Sequence, residues 1–200
     1  MDYAVVLELV RHARTPGNIA HRYVGWTDES IAETSLPILN DTISQVICSD
    51  LKRTVETAAQ YFPQAKPYCI AAFRESHFGD FEMKTYEQLK NNEAYRNWIN
   101  RPEQLAPPNG ETLVSLYRRV RAGMEQLEAK RYQYAVLHGG TIRAILVQFG
   151  PKPSAFWDWQ VGHDTRFVLA WATRQAFEEG QRCTSLSVEP LMANEPTSNN

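Results

Sequence analysis

The apolar run Ala4 to Val10 (AVVLELV) stops at Arg11-His12, and Pro16-Gly17 follows soon after. A short β-rich apolar stretch ended by charge and turn residues reads as a buried strand. The pattern recurs: SQVICS at 44–49, KPYCIAAF at 66–73 and YQYAVLHGG at 132–140 read as strands, with TRFVLAWAT and CTSLSVE as late ones. Helical spacings lie between them. DLKRTVETAAQYF starts acidic and is stopped by Pro63. The polar segment 83–100 carries Leu89, Tyr95, Trp98 and Ile99 as inward anchors, and after APPNG the residues Leu113, Leu116, Val120, Met124 and Leu127 form one apolar stripe. Arg118, Arg119 and Arg121 fall off that stripe and read as a solvated basic face. TIRAILVQFG is a further helix, closed by Gly150 and Pro151. Strands alternating with helices constrain the fold more than any other feature: an α/β class, a three-layer α/β/α sandwich with a mostly parallel central sheet. With neither repeat nor linker in view, residues 1–190 read as one domain and 191–200 as a disordered tail.

The formal charge of −2 on 200 residues argues against nucleic acid or an anionic membrane as partner, so any anion site must be a local cluster of cations. Three widely spaced cysteines, Cys48, Cys69 and Cys183, form no C-x-x-C pair and read as inert core or surface thiols. Neither a secretory h-region nor an apolar run of membrane-spanning length is visible, and a reducing cytoplasm is the simplest home.

In parallel sheets, ligands collect at the carboxyl ends of strands. Arg11-His12 and His138-Gly139 each follow a strand, and Ser49 to Arg53 follow another. Three strand ends therefore deliver Arg11, His12, Arg53 and His138 to one place. Arginine forks suit phosphate oxygens, and helix amino ends add positive partial charge. A phosphoryl group is the natural guest. With no metal motif present, clustered Arg and His must neutralise its oxygens. One imidazole can attack phosphorus, and a carboxylic acid can protonate the departing oxygen. Glu75, in FRESHFGDFE after the third strand, is the best placed acid. His21, His77 and His163 lack such support and read as structural or surface residues.

These residues match a family. LVRHARTPGN resembles the Arg-His-Gly signature of the histidine phosphatase superfamily, in its phosphoglycerate-mutase-like branch. RYVGWTDESI at 22–31 is similar to the branch's Gly-Trp-x-Asp substrate loop, ICSDLKRTVETA at 47–58 to its Ser-Asp-Leu-x-Arg segment, and FRESHFGDFE to its Arg-Glu-x-x-Phe-Gly segment. PNGET and LHGGTIR resemble its later motifs, and the set runs in family order over residues 5–145. The resemblance implies a phosphoglycerate-mutase-like fold, His12 as phosphorylated nucleophile and Glu75 as proton donor. It implies that Arg11, Arg53 and His138 hold the phosphate, with Thr15 and Asn18 adding hydrogen bonds. Arg22, Tyr23 and Trp26 would line the substrate side of the pocket, with Gly25 and Gly139 in the loops that shape it. Neither metal nor organic cofactor is implied; the expected partner is a small phosphorylated metabolite, and the expected state of the protein is a monomer or homodimer.

Three departures stand out. Ala13 occupies a usual glycine position, which is harmless if its backbone avoids positive φ. Met83 replaces another common glycine. From Asp28 to Ser49 the chain is shorter than usual by about one to three helical turns, and Pro37 breaks what is left, so that side of the domain should be pared down.

Only residues 76–108 separate Glu75 from PNGET, without the basic insertion by which mutases hold their intermediate, so hydrolysis is expected over mutase activity. RYVGWTD leans toward α-ribazole 5'-phosphate as substrate, with a broad-specificity phosphatase as the alternative. A cysteine phosphatase would need Cys-x5-Arg, but Cys48 to Arg53 and Cys69 to Arg74 each enclose four residues. A silent phosphate-binding module is opposed by the presence of every group needed for attack, clamping and protonation.

Overall fold

The computed structural model describes residues 2–191. Six strands form one sheet: β1 (Val5–Arg11), β2 (Gln45–Cys48), β3 (Lys66–Cys69), β4 (Tyr132–Leu137), β5 (Thr165–Trp171) and β6 (Ser185–Pro190). Their order is β3-β2-β4-β1-β5-β6. The β3-β2, β2-β4 and β4-β1 pairs are parallel, and β5 is antiparallel to both of its neighbours, as expected of a mostly parallel sheet. The helices are α1 (Pro16–Ile19), α2 (Lys52–Tyr61), α3 (Tyr86–Leu89), α4 (Glu93–Asn100), α5 (Leu113–Met124), α6 (Gly139–Phe149) and α7 (Arg174–Glu178).

Alternate residues of each strand face opposite layers. Leu7, Leu9, Leu137 and Leu169 pack with Leu116 and Val120 of α5 and Ile142 and Ile145 of α6. On the other face Val10, Val46 and Val136 pack with Ala58 and Tyr61 of α2. The three-layer sandwich follows from that division. A separate aromatic cluster of Phe81, Leu89, Tyr95 and Trp98 gathers Tyr23 and Phe78 against it.

Several elements differ from the sequence reading, each for a local reason. β3 ends at Cys69 because the chain turns into a 3-10 segment at Ala71–Phe73, which buries Phe73. A methyl on Gly123 of α5 would come within 2.6 Å of the Phe73 ring, so that approach needs the glycine. Segment 83–100 divides into α3 and α4 because it holds two N-caps, Thr85 with its capping box to Gln88 and Asn92 accepting from Tyr95 N. α7 was not foreseen; Thr173 caps it and so ends β5 early. Residues 32–44 hold neither helix nor strand, and Leu36, Leu39 and Ile43 close that face as single side chains. The expected tail falls outside the described residues from 192 onward, whereas Leu191 is buried in the second cluster.

Two of the three off-stripe arginines of α5 are not a solvated face. Arg121 donates to Gln148 Oε1 at 3.2 Å and lies over the Phe149 ring, and Arg119 reaches the candidate site. Arg118 alone is exposed.

Candidate active site

Because β1, β2 and β4 are parallel, their carboxyl ends share one edge. Arg11 ends β1, and His12 follows it. His138 follows β4 as N-cap of α6, while Ser49 follows β2 and leads to Arg53 in the first turn of α2. The rings of His12 and His138 lie 5.1 Å apart, edge to face. His12 and His138 are 2% and 0% exposed, and Arg53 is fully buried.

The hydrogen bonds fix both tautomers. His12 Nδ1 lies 2.6 Å from the Ala13 carbonyl, which can only accept, so Nδ1 carries the proton and Nε2 keeps its lone pair. Burial, reinforced by Arg53 and Arg11, holds His12 well below the usual imidazole pKa. Arg53 Nε donates to His138 Nδ1 at 3.2 Å. His138 Nε2–H then donates to Ser49 Oγ at 2.7 Å, and Ser49 passes its own proton to Thr54 Oγ1 at 3.1 Å. Thr54 ends the chain on the carbonyls of Ser49 and Leu51. Burial, then Arg53 and His12, push His138 well below its usual value too.

Arg53 also uses one N–H of each terminal nitrogen on backbone: Nη1 on Thr27 O at 2.9 Å and Nη2 on Gly25 O at 2.5 Å. The loop supplying those carbonyls is clasped by Glu82, which accepts from the N–H groups of Gly25, Trp26, Thr27 and Phe78 and from the Thr27 hydroxyl. Gly25 is obligatory, since a Cβ there would lie 2.2 Å from Ser76 O.

Glu75, 7% exposed, receives Ser76 N–H at 2.8 Å and Gly140 N–H at 3.0 Å from each carboxylate oxygen. Gly140 stands in the first turn of α6, where free N–H groups favour an anion. Arg119 anchors the loop bearing Glu75 by donating to the carbonyls of Ala72, Arg74 and Glu75 while paired with Glu111. Trp26 Nε1 donates to Glu75 O at 2.8 Å, and its ring packs on His77 and Arg74.

A cavity of about 630 Å³ opens over this edge. Arg11, Asn18, Glu75, Gly139 and Gly140 line it, together with Arg22, Tyr23, Trp98, Arg143 and Trp157. Arg11 donates Nη1 to Val161 O at 2.9 Å, but its buried Nε has no partner among the described residues. Thr15, fully buried, caps α1 and exchanges hydrogen bonds with Asn18. Trp26 is a strut behind the site, outside the set of lining residues. Among the described residues no group of three or more His, Cys, Asp or Glu is placed to hold a metal ion, and no helix is long and apolar enough to cross a membrane.

Sequence reasoning missed three residues here. Arg143 donates Nε to Trp159 O at 2.9 Å and stacks on Phe156 and Trp157. It stood in LHGGTIR, one helical turn after Gly139, and that spacing could have found it. Gly140, not Gly139, is the crowded glycine: a Cβ on it would lie 2.2 Å from Glu75 Oε1, whereas one on Gly139 would meet Arg11 no closer than 3.4 Å. His163, read as structural or surface, donates Nδ1–H to His12 O at 2.6 Å.

The chain is similar to known proteins over most of its length. The adenosylcobalamin/alpha-ribazole phosphatase of Escherichia coli K12 is 27% identical over 171 residues, covering 78% of this chain and 84% of that one. Phosphoserine phosphatase 1 of Hydrogenobacter thermophilus is 27% identical over 187 residues, covering 86% and 89%. The crystal structure of the alpha-ribazole phosphatase from Shigella flexneri shares the fold with a TM-score of 0.75 at 22% identity, over 98% of this chain and 100% of that one. The model of the histidine phosphatase superfamily (branch 1) matches residues 7–180, and the chain belongs to that superfamily.

Proposed function

We propose that the protein is a phosphomonoester hydrolase working through a phosphohistidine on His12. The observation that carries this reading is the His12 tautomer: with Nδ1–H tied to Ala13 O, Nε2 is free to attack. Nε2 forms a bond to phosphorus as the bond to the leaving oxygen breaks, and Glu75 supplies that oxygen with a proton. In the second half, water attacks the phosphohistidine, Glu75 takes the water's proton, and the N–P bond breaks to release phosphate. The orphaned Nε of Arg11 and the amino end of α6 offer donors to the equatorial oxygens. Arg53, whose Nη1 and Nη2 each keep one N–H beyond their bonds to the loop carbonyls, adds the second cation.

The substrate is a small phosphorylated metabolite with a flat leaving group. Tyr23, Phe78, Trp98, Phe156 and Trp157 make the cavity wall largely aromatic, and Arg22 and Arg143 add cationic edges. α-Ribazole 5'-phosphate has that shape, and two of the relatives described above act on it by name. A broad-specificity phosphatase is the second reading, favoured by the size of the cavity, about 630 Å³, which admits leaving groups of several shapes. Mutase chemistry is disfavoured, because residues 76–108 carry no added basic segment to retain a bisphosphate intermediate.

The test is phosphate release from an aryl phosphate in EDTA, then from sugar phosphates, nucleotides, phosphoserine, phosphohistidine peptides and α-ribazole 5'-phosphate. Turnover by wild type and none by His12→Ala is expected. Full activity in His12→Ala would sink the nucleophile assignment, and silence over the whole panel would favour a binding module.

A further inference from the structure

We infer that His163 is a positioning residue for the nucleophile, holding by its Nδ1–H the peptide plane from which the His12 imidazole is aimed. This rests on the reading of His12 as nucleophile. The peptide joining His12 to Ala13 is gripped at both ends. Its carbonyl accepts from His163 Nδ1 at 2.6 Å, and its N–H donates to Thr57 Oγ1 at 2.9 Å. The His12 ring then hangs from the next carbonyl, Ala13 O, also at 2.6 Å. Any rotation of the first peptide therefore swings the acceptor that sets the tautomer and direction of the ring.

His163 also packs against the ring itself. Its imidazole stands edge-on to His12 at 5.7 Å and 76°, and a second edge contact comes from His138 at 5.1 Å. Between them they limit rotation about the His12 side chain. The same short stretch of chain holds the neighbouring residue, because Val161 O takes Arg11 Nη1 at 2.9 Å. Residues 161–163 thus brace both members of the Arg-His pair.

The donor is unambiguous. His12 O can only accept, so His163 Nδ1 carries a proton. Burial, with Arg11 nearby, lowers the His163 pKa to about 4, so the ring is a neutral, single-tautomer donor at neutral pH.

His163→Leu removes the donor while keeping bulk, and His163→Asn places an amide N–H near the position of Nδ1. Three readouts separate their effects: the burst rate of phosphoenzyme formation, KM, and the 15N NMR signature of the His12 imidazole. The leucine variant should slow the burst about 10- to 100-fold, the usual effect of losing a partner that orients a reacting group. Its KM should stay within about 3-fold, and the asparagine variant should recover the burst to within about 3-fold of wild type. His12 should show one Nδ1–H tautomer in wild type and His163→Asn, and a mixture in His163→Leu. A wild-type burst in His163→Leu, or equal damage in both variants, would overturn the inference. If wild type forms no phosphoenzyme, the functional reading fails and the tautomer signal alone decides; an unchanged signal in His163→Leu then counts against His163. Should the leucine variant not fold, His163→Phe, which keeps a ring against His12 but has no donor, takes its place with the same expectations.

Discussion

At Gly140 a single methyl would meet the Glu75 carboxylate at 2.2 Å, and the collision would fall on the proposed proton donor with little else disturbed. Gly140→Ala should therefore lower kcat by at least about 100-fold, the range of a displaced acid–base group, with only a small change in Tm. Steady-state kinetics beside a thermal melt would check it; an unimpaired kcat would mean that Glu75 need not sit on α6. Met83 tests the opposite case, a residue at odds with its backbone. Its φ of 60° lies in the left-handed region, where glycine is usual, while Ala13 is absent from the residues with positive φ. Met83→Gly should stabilise the protein by about 0.5–1 kcal/mol, since relief of αL strain exceeds the glycine entropy cost; denaturant titration would measure it. Arg11, His12, Arg53 and His138 were legible in the sequence because each follows an apolar strand run. His163 was not, because no periodicity ties residue 163 to residue 12; only the antiparallel pairing of β5 with β1 brings them together.

At the level of elements, the loop of residues 22–27 is held by a single carboxylate. Glu82 accepts four donors from it and a fifth from Phe78 N–H, and the loop's Gly25 and Thr27 carbonyls in turn hold Arg53. Glu82→Gln replaces one acceptor oxygen with an amide donor and strands buried N–H groups, at about 1–3 kcal/mol each. Tm should fall and kcat/KM should drop about 10- to 100-fold as Arg53 loses its fixed geometry. A loss of stability with full activity would detach the loop from catalysis. The strand and helix pattern was readable because a buried run and an apolar stripe each leave their own period. The division of 83–100 was harder to see: the caps Thr85 and Asn92 were present in the sequence, but the aromatic anchors suggested one continuous face. Arg119 misled for a similar reason, since helical spacing cannot show that a neighbouring loop offers three bare carbonyls.

For the whole molecule, burying neutral imidazoles has a pH signature. His12 and His138 are held well below the usual value of 6.5, chiefly by burial, so the unfolded chain binds protons that the folded chain refuses. Stability is thus unaffected by these groups above pH 6.5 and falls as pH drops below it, by up to about 1.4 kcal/mol per pH unit for each buried His. His163 adds to that slope until its own value of about 4 is passed. Thermal melts from pH 7.5 down to 5 would follow the loss, which His138→Gln should reduce; a Tm that rose on acidification would contradict the neutral tautomers. The mostly parallel sheet was legible, because parallel strands need helical crossovers and the chain displays them in order, but the strand order and the antiparallel placing of β5 and β6 were not. The leaving group was not, since its cavity is assembled from loops that are far apart in sequence. The central claim is chemical, and rapid-quench capture of the enzyme during turnover of an aryl phosphate tests it most directly. One acid-labile, base-stable phosphoryl group per chain, located on His12 by peptide mass spectrometry, is the expected result. Turnover with no trapped phosphoenzyme, or with the phosphoryl group on any other residue, would contradict it.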